Sequence, residues 1–428
     1  MRCDMTEVSG ALAGIKVIDL TQMLAGPYCT MLLADQGANV IKIEPVDGDP
    51  TRHFGPFLPD DAVHHFGGYF QSTNRNKKSV ALDLKSDEGK ALFRRLAKDA
   101  DIVVENFRAG VMDRLGIGYE VLANDNPRLV YAAIRGFGDP RTGQSPYVNR
   151  PAFDVVAQAM GGAMGITGPD SATPMKIGPG IGDIFPASLA AFGIMAALHH
   201  ASRTGQGQFL DVAMYDGVLA MCERVVYQYS YLGVSPAPEG NQHPILCPFG
   251  TFPAKDGQVT IGCPRDSFWR ELVDVIGRPE LAIDPKFATN NARLAHAAET
   301  VGIVEAWSAA RTKAEIAEVL DGRVPFGPVN TAADIYADPH IIARKMLVEV
   351  EHPGSSKPVT IASTPIRMTA TPGGVFHRAP LVGENTDEIL SGMGLSDADI
   401  AELKARNVVA GPSFPDGSED PGRRSADW

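Results

Sequence analysis

The chain has 428 residues, 44% hydrophobic and 21% charged, which is enough for two or more domains of about 150 residues, each with its own core. A formal net charge of −12 excludes a nonspecific nucleic-acid binder, which displays a basic excess, so any anionic ligand must find local cations. Forty-four glycines and 32 prolines without a collagen-like period suit a loop-rich α/β enzyme.

The five cysteines, Cys3, Cys29, Cys222, Cys247 and Cys263, are scattered and show no C-x-x-C spacing. Neither a disulfide framework nor a zinc ribbon is indicated, and a reducing cytoplasm is expected. The opening MRCDMTEVSG has no apolar targeting core, and no run of about 18 uninterrupted apolar residues occurs, so a cytoplasmic protein without a membrane partner is expected.

From residue 15 onward, short apolar runs alternate with helical patterns. Strands are predicted over 15–20, 39–44, 79–84, 101–105 and 129–135, with helices over 28–36 and 87–98, the second capped by Ser86. Such alternation implies a mostly parallel sheet covered on both faces, whose ligands bind at the carboxyl ends of the strands. Three further helices follow near 153–164, 184–202 and 215–231, the second rich in Ala and Leu and expected to be buried. The composition shifts to Pro, Gly and Asn near residue 234 and again near 326. The expected division is a large domain over 1–233, a small domain over 234–326, a segment over 327–409, and a disordered polar tail over 410–428. Within the small domain a hairpin is predicted around Asp256 and Gly257, followed by helices over 266–276 and 313–320.

No G-x-S-x-G elbow, P-loop, H-E-x-x-H or EF-hand sequence is present. His64–His65 and His199–His200 are adjacent pairs whose side chains diverge, so no metal site is expected. What remains is the glycine run 178–182 followed by Asp183, at the predicted start of a long helix. One reading makes Asp183 an N-cap, worth about 1 kcal/mol. The other makes it a carboxylate on a turn that a bulky acyl group can approach, because the glycines carry no side chains. The local sequence leaves both open.

A wider pattern bears on the choice. LAGIKVID (12–19) with Ala25–Gly26–Pro27, GANVIKIEP (37–45), Gly48–Asp49 with Arg52, NRNKKS (74–79), VENF (104–107), Asp154 with Ala157–Gln158, Gly182–Asp183, Thr204–Gly205, GPV (327–329) and LVGENTDE (381–388) occur in order. Together they resemble the family III CoA-transferases over nearly the whole chain. The resemblance implies an α/β fold with a Rossmann-like large domain, a smaller α+β domain, and a C-terminal segment that returns to the large domain, in an interlocked homodimer. It implies no permanently bound cofactor, a coenzyme A thioester as substrate and a small carboxylic acid as acceptor.

The residue matching the family's nucleophile is Asp183, which would form a mixed anhydride and then an aspartyl-CoA thioester. The chemistry suits a carboxylate: an anhydride preserves the activation of a thioester, whereas a serine ester would lie lower in free energy. Asn106 and Phe107 match the position that meets CoA, and Arg114 a basic residue just downstream. Arg52, Lys77 and Lys78 are further candidates for its phosphates.

Two departures narrow the activity. The family's racemases carry a histidine before the aspartate matching Asp154, where this chain has Phe153, which cannot exchange a proton. Formyl-CoA transferases have a glutamine before Ala–Gly–Pro and a tetraglycine loop, where this chain has Leu24 and GNQHP (240–244). The leading expectation is therefore CoA transfer between C4–C5 dicarboxylates, with Leu24, Phe153, Arg135 and His243 as candidate substrate contacts and Arg135 or His243 holding the distal carboxylate. The alternatives are an acyl-CoA isomerase or racemase of the same family, against which Phe153 speaks, and a non-catalytic CoA-binding protein, against which Asp183 speaks.

Overall fold

The computed structural model describes residues 10–61, 64 and 66–412. Cys3, His65 and most of the tail expected to be disordered lie outside the described residues. By its contacts the chain divides into two compact units: Met1–Gly162, Ile177–Glu223 and Ile342–Trp428 form one, Ala163–Lys176 and Arg224–Ile341 the other.

The first unit is built on β1 (Lys16–Asp19), β2 (Asn39–Glu44), β3 (Lys77–Leu82), β4 (Ile102–Glu105), β5 (Val130–Arg135) and β6 (Gln208–Ala213). They lie parallel in the order β3-β2-β1-β4-β5-β6, and Val409–Ala410 pairs antiparallel with β3. Val17 of β1 registers with Val40 on one side and Ile102 on the other. The chain thus winds outward from β1 in both directions, and the order reverses between β1 and β4, the point at whose carboxyl ends doubly wound sheets hold ligands.

One face of the sheet is covered by the Asp87–Lys98 helix. Ser86 caps it by accepting from the Gly89 N–H at 3.1 Å, and Asp87 and Glu88 face the positive end of the helix dipole. Its Leu92, Phe93, Leu96 and Ala97 join Ile18, Ile41, Val80 and Val103 in one core, each large side chain contributing roughly 1.5–3 kcal/mol. A Phe93→Asp change would bury an unpaired charge there and break the layer.

On the opposite face the Ile181–Thr204 helix packs against β5, β6 and the Ala25–Ala34 helix through Ile194 and through Ala187, Ala190, Ala191, Ala197 and Ala201, whose small side chains permit close approach. Apart from that stripe only Gly182 and Pro186 are buried, contrary to the expectation of a buried helix; Leu189, Phe192 and Met195 are exposed, Phe192 by 75%. By length and composition alone this 24-residue helix could also cross a membrane. The helix predicted over 215–231 is two, Met214–Met221 and Glu223–Leu232, broken at Cys222.

The second unit carries a three-stranded antiparallel sheet of β7 (Phe249–Ala254), β8 (Gly257–Gly262) and β9 (Phe326–Pro328). Its core gathers Phe252, Ile261, Trp269, Leu272, Trp307 and Ile316. The helices Asp266–Ile276 and Lys313–Leu320 fall where their periodicity places them.

Candidate active site

The Ile181–Thr204 helix begins at Gly180, its N-cap, so Asp183 is the third helical residue and makes no capping bond. The cap comes from elsewhere. Asp154, which opens the Asp154–Met160 helix, accepts the Gly182 N–H on Oδ1 at 2.8 Å. Gln158, one turn on and fully buried, donates to both oxygens of Asp154 at 2.9 Å, and its own carbonyl accepts the Ile177 N–H at 2.9 Å. Glycine is required at Gly182, where an added side chain would meet backbone. A Cβ on Gly182 would lie 2.5 Å from the Asp154 carbonyl oxygen, and one on Gly180 would lie 2.9 Å from Leu24 Cδ2. The N-cap location expected for Asp183 is thus corrected: Asp154 satisfies the helix start and leaves Asp183 free.

Asp183 is half-buried, and among the described residues no donor lies within hydrogen-bond distance of its carboxylate. Burial pushes its carboxyl up to about 7, and the negative charge of Asp154 adds to the effect. A desolvated carboxylate with no donor to quieten it is a stronger nucleophile than one in water. Tyr69, on the Gly68–Thr73 helix, lies within the field of the same carboxylates. Burial, then Asp183, Asp49 and Asp154, push its hydroxyl up to about 12, so it stays a donor across the physiological range. The sequence gives no sign of Tyr69, which sits in a GGYFQ run without period; Asp154 and Gln158 stand four residues apart, a spacing that places them on one helix face.

The loops that follow β1 and β4 are tied to each other. Asn106, just after β4, accepts the Gln22 N–H at 2.9 Å and donates to the Gln22 carbonyl at 2.7 Å, so both ends of its side-chain amide are engaged by the loop after β1. Phe107 donates its N–H to Glu105 Oε2 at 2.7 Å, its carbonyl accepts from Arg135 Nε at 3.0 Å, and its ring packs against the core.

Several cations stand elsewhere than expected. Arg52 is fully buried and forks onto Glu44, at 2.8 Å from Nε and 2.6 Å from Nη2; Lys77 is buried against Asp19 at 2.9 Å. Burying either charge alone would be costly, so each is spent on its partner, and neither turns a donor toward a phosphate. Arg135 is likewise buried between Glu105 and Asp139, which uses the donors expected for a distal carboxylate. Lys78 and Arg114 do reach the surface, Lys78 paired with Glu388 at 2.5 Å and Arg114 ending the Val111–Arg114 helix. Phe153 is 58% exposed directly before Asp154. His243 belongs to the second unit, where its Nδ1 accepts the Ile245 N–H at 3.2 Å and its ring meets Phe249 edge-on at 5.2 Å. Among the described residues no group of three or more His, Cys, Asp or Glu side chains could hold a metal ion.

Comparison with known proteins gives a consistent picture. The sequence model of CoA-transferase family III matches residues 12–386. A succinyl-CoA:mesaconate CoA-transferase of Haloarcula hispanica is 49% identical, over 90% of this chain and 97% of its own length. A succinyl-CoA–D-citramalate CoA-transferase of Chloroflexus aurantiacus is 38% identical, over 93% and 98%. Among solved structures, a CAIB/BAIF family protein from Brucella suis superposes with a TM-score of 0.79 at 37% identity, covering 90% of this chain and all of that one.

Proposed function

The chain belongs to CoA-transferase family III, so it is an enzyme that takes CoA thioesters as substrates, and on that premise we propose that it moves CoA between C4–C5 dicarboxylic acids through Asp183. The observation that carries the mechanism is the Asp183 carboxylate itself, raised by burial and by Asp154, and without a donor at the glycine-lined start of its helix.

An Asp183 oxygen attacks the donor's thioester carbon, the C–S bond breaks, and CoA leaves as thiolate from a mixed anhydride. The thiolate attacks the aspartyl carbonyl carbon and expels the donor acid as carboxylate, leaving Asp183 as a CoA thioester. The acceptor carboxylate repeats the sequence in reverse, and a second attack by thiolate on the acceptor's acyl carbon frees Asp183. No proton needs to be transferred in any step, so the chemistry asks for a carboxylate nucleophile and no general base. The protonated Tyr69 hydroxyl is the donor we assign to the oxyanions, since the amides of Ile181, Gly182, Asp183 and Ile184 are already paired.

The dicarboxylate substrate class is supported by the relatives named for succinyl-CoA with mesaconate or D-citramalate, and by Leu24 in place of the glutamine of formyl-CoA transferases. Lys78 and Arg114 are the surface cations we assign to the CoA phosphates. We further assign the two units to the large and small domains of an interlocked cytoplasmic homodimer, whose interface would cover the exposed Leu189, Phe192 and Met195. Assaying succinyl-CoA against mesaconate, citramalate, glutarate, oxalate, formate and acetate tests the class: a preference for the C4–C5 diacids supports it, and a preference for formate or acetate removes it while leaving CoA transfer in place.

A further inference from the structure

The loop after β1 contains a strained residue. Met23 has φ +67°, a left-handed conformation that costs a non-glycine residue about 1 kcal/mol or more and persists only where its surroundings enforce it. The enforcement is visible on the residue before it. Gln22 has both its main-chain N–H and its carbonyl held by the Asn106 side chain, at 2.9 and 2.7 Å. One residue further back, Thr21 is fixed by Asp19 at its N–H (2.8 Å) and by Lys42 at its carbonyl (2.6 Å). The chain then turns at Met23 and delivers Leu24, whose Cδ2 stands where a Cβ on Gly180 would come within 2.9 Å. Gly180 begins the helix on which Asp183 is the third residue.

We propose that Asn106 is a positioning residue: its amide brackets Gln22, holds Met23 in its strained conformation, and so sets Leu24 as a rigid wall against the Gly180–Asp183 turn where the acyl group is transferred. Its amide oxygen and its amide nitrogen are both engaged by Gln22, so its contribution runs through the loop after β1. The inference rests on the reading of Asp183 as the reacting group. It adds that the geometry of the acyl pocket is set from the other side of the switch point, by strain that β4 imposes on the loop after β1.

The test is steady-state kinetics together with calorimetric CoA binding for Asn106→Ala, Asn106→Asp and the double variant Asn106→Ala/Met23→Gly, with Asp183→Ala alongside. Asn106→Ala should lower kcat by about tenfold or more, while the Kd for free CoA moves by less than about twofold. Asn106→Asp keeps an acceptor for the Gln22 N–H but turns a carboxylate oxygen toward the Gln22 carbonyl in place of the donor, so it should also lower kcat. Glycine accepts a positive φ without strain, so adding Met23→Gly should recover kcat by about threefold or more, a rescue that a merely structural defect would not show. Should Asn106→Ala fail to fold, the Asn106→Asp kinetics carry the test. CoA binding weakened about tenfold with kcat intact would make Asn106 a direct ligand and overturn the proposal, as would wild-type kinetics in Asn106→Ala or a double variant no faster than the single. Transfer retained in Asp183→Ala would instead overturn the underlying reading of the active site.

Discussion

Asp154 and Asp183 share one helix start in divided roles: Asp154 holds the Gly182 N–H at 2.8 Å, and its negative charge, added to burial, keeps the Asp183 carboxyl near 7. A capping residue placed beside the proposed nucleophile thereby raises its carboxyl.

Removing that charge should be visible in the pH profile. A neighbouring anion disfavours ionisation of Asp183, so Asp154→Asn should lower the carboxyl from about 7 toward the value set by burial alone. The acidic limb of kcat/KM should move to lower pH by about half a unit or more. An unmoved limb would mean that Asp154 acts only as a cap.

The same raised value predicts that the active site costs stability. The unfolded carboxyl titrates near 3.8 and the folded one near 7, so between these pH values the folded state binds more protons and stability falls as pH rises, levelling off above 7. Asp183→Asn lacks this charge. At pH 8 it should resist urea better than the wild type, on the order of 2 kcal/mol, with the gain shrinking toward pH 4. A variant less stable than the wild type at pH 8 would contradict the desolvated state of Asp183.

Arg52 separates structure from binding. Burial opposes the charge on Glu44, yet Arg52 and Lys42 hold its carboxyl down to about 2, a stabilisation complete above about pH 4.5 and lost as pH falls toward 2. Arg52→Ala strands Glu44 and should cost about 3–5 kcal/mol at pH 7. The stabilisation that added CoA gives in urea titrations should stay as large as in the wild type. A folded variant of normal stability that no longer responds to CoA would restore Arg52 as a phosphate ligand.

For Arg114, exposed at its helix end, the reverse holds. Arg114→Ala should leave stability within about 0.5 kcal/mol and raise KM for acyl-CoA about tenfold, less at high salt. Unchanged KM at low salt would remove it from the CoA site.

Much of the sheet can be read from the chain. VYAAIR and NVIKIE are apolar, β-branched runs between polar turns, and Ser86 announces the Asp87–Lys98 helix through capping chemistry that needs no tertiary partner. β6 was hidden because Asp211 interrupts its apolar run and its residues are only partly buried. At the proposed site, Asp183 is marked as a candidate by its glycine run and by the family pattern around it. The cations are not, because a sequence shows a charge without its partner: Lys77 meets Asp19 from 58 positions away, and Arg135 meets Glu105 across adjacent strands. Leu24 and Gly180 are likewise joined only by the fold.

The central claim is that Asp183 becomes covalently acylated. Incubating the enzyme with succinyl-CoA, quenching with hydroxylamine, and mass-analysing the peptide that contains residues 177–203 tests it most directly. The account predicts conversion of Asp183 to its hydroxamate, dependent on the donor and absent from Asp183→Ala, which should also lose transfer. Full transfer by Asp183→Ala, or a donor-dependent label on a different residue, would contradict it.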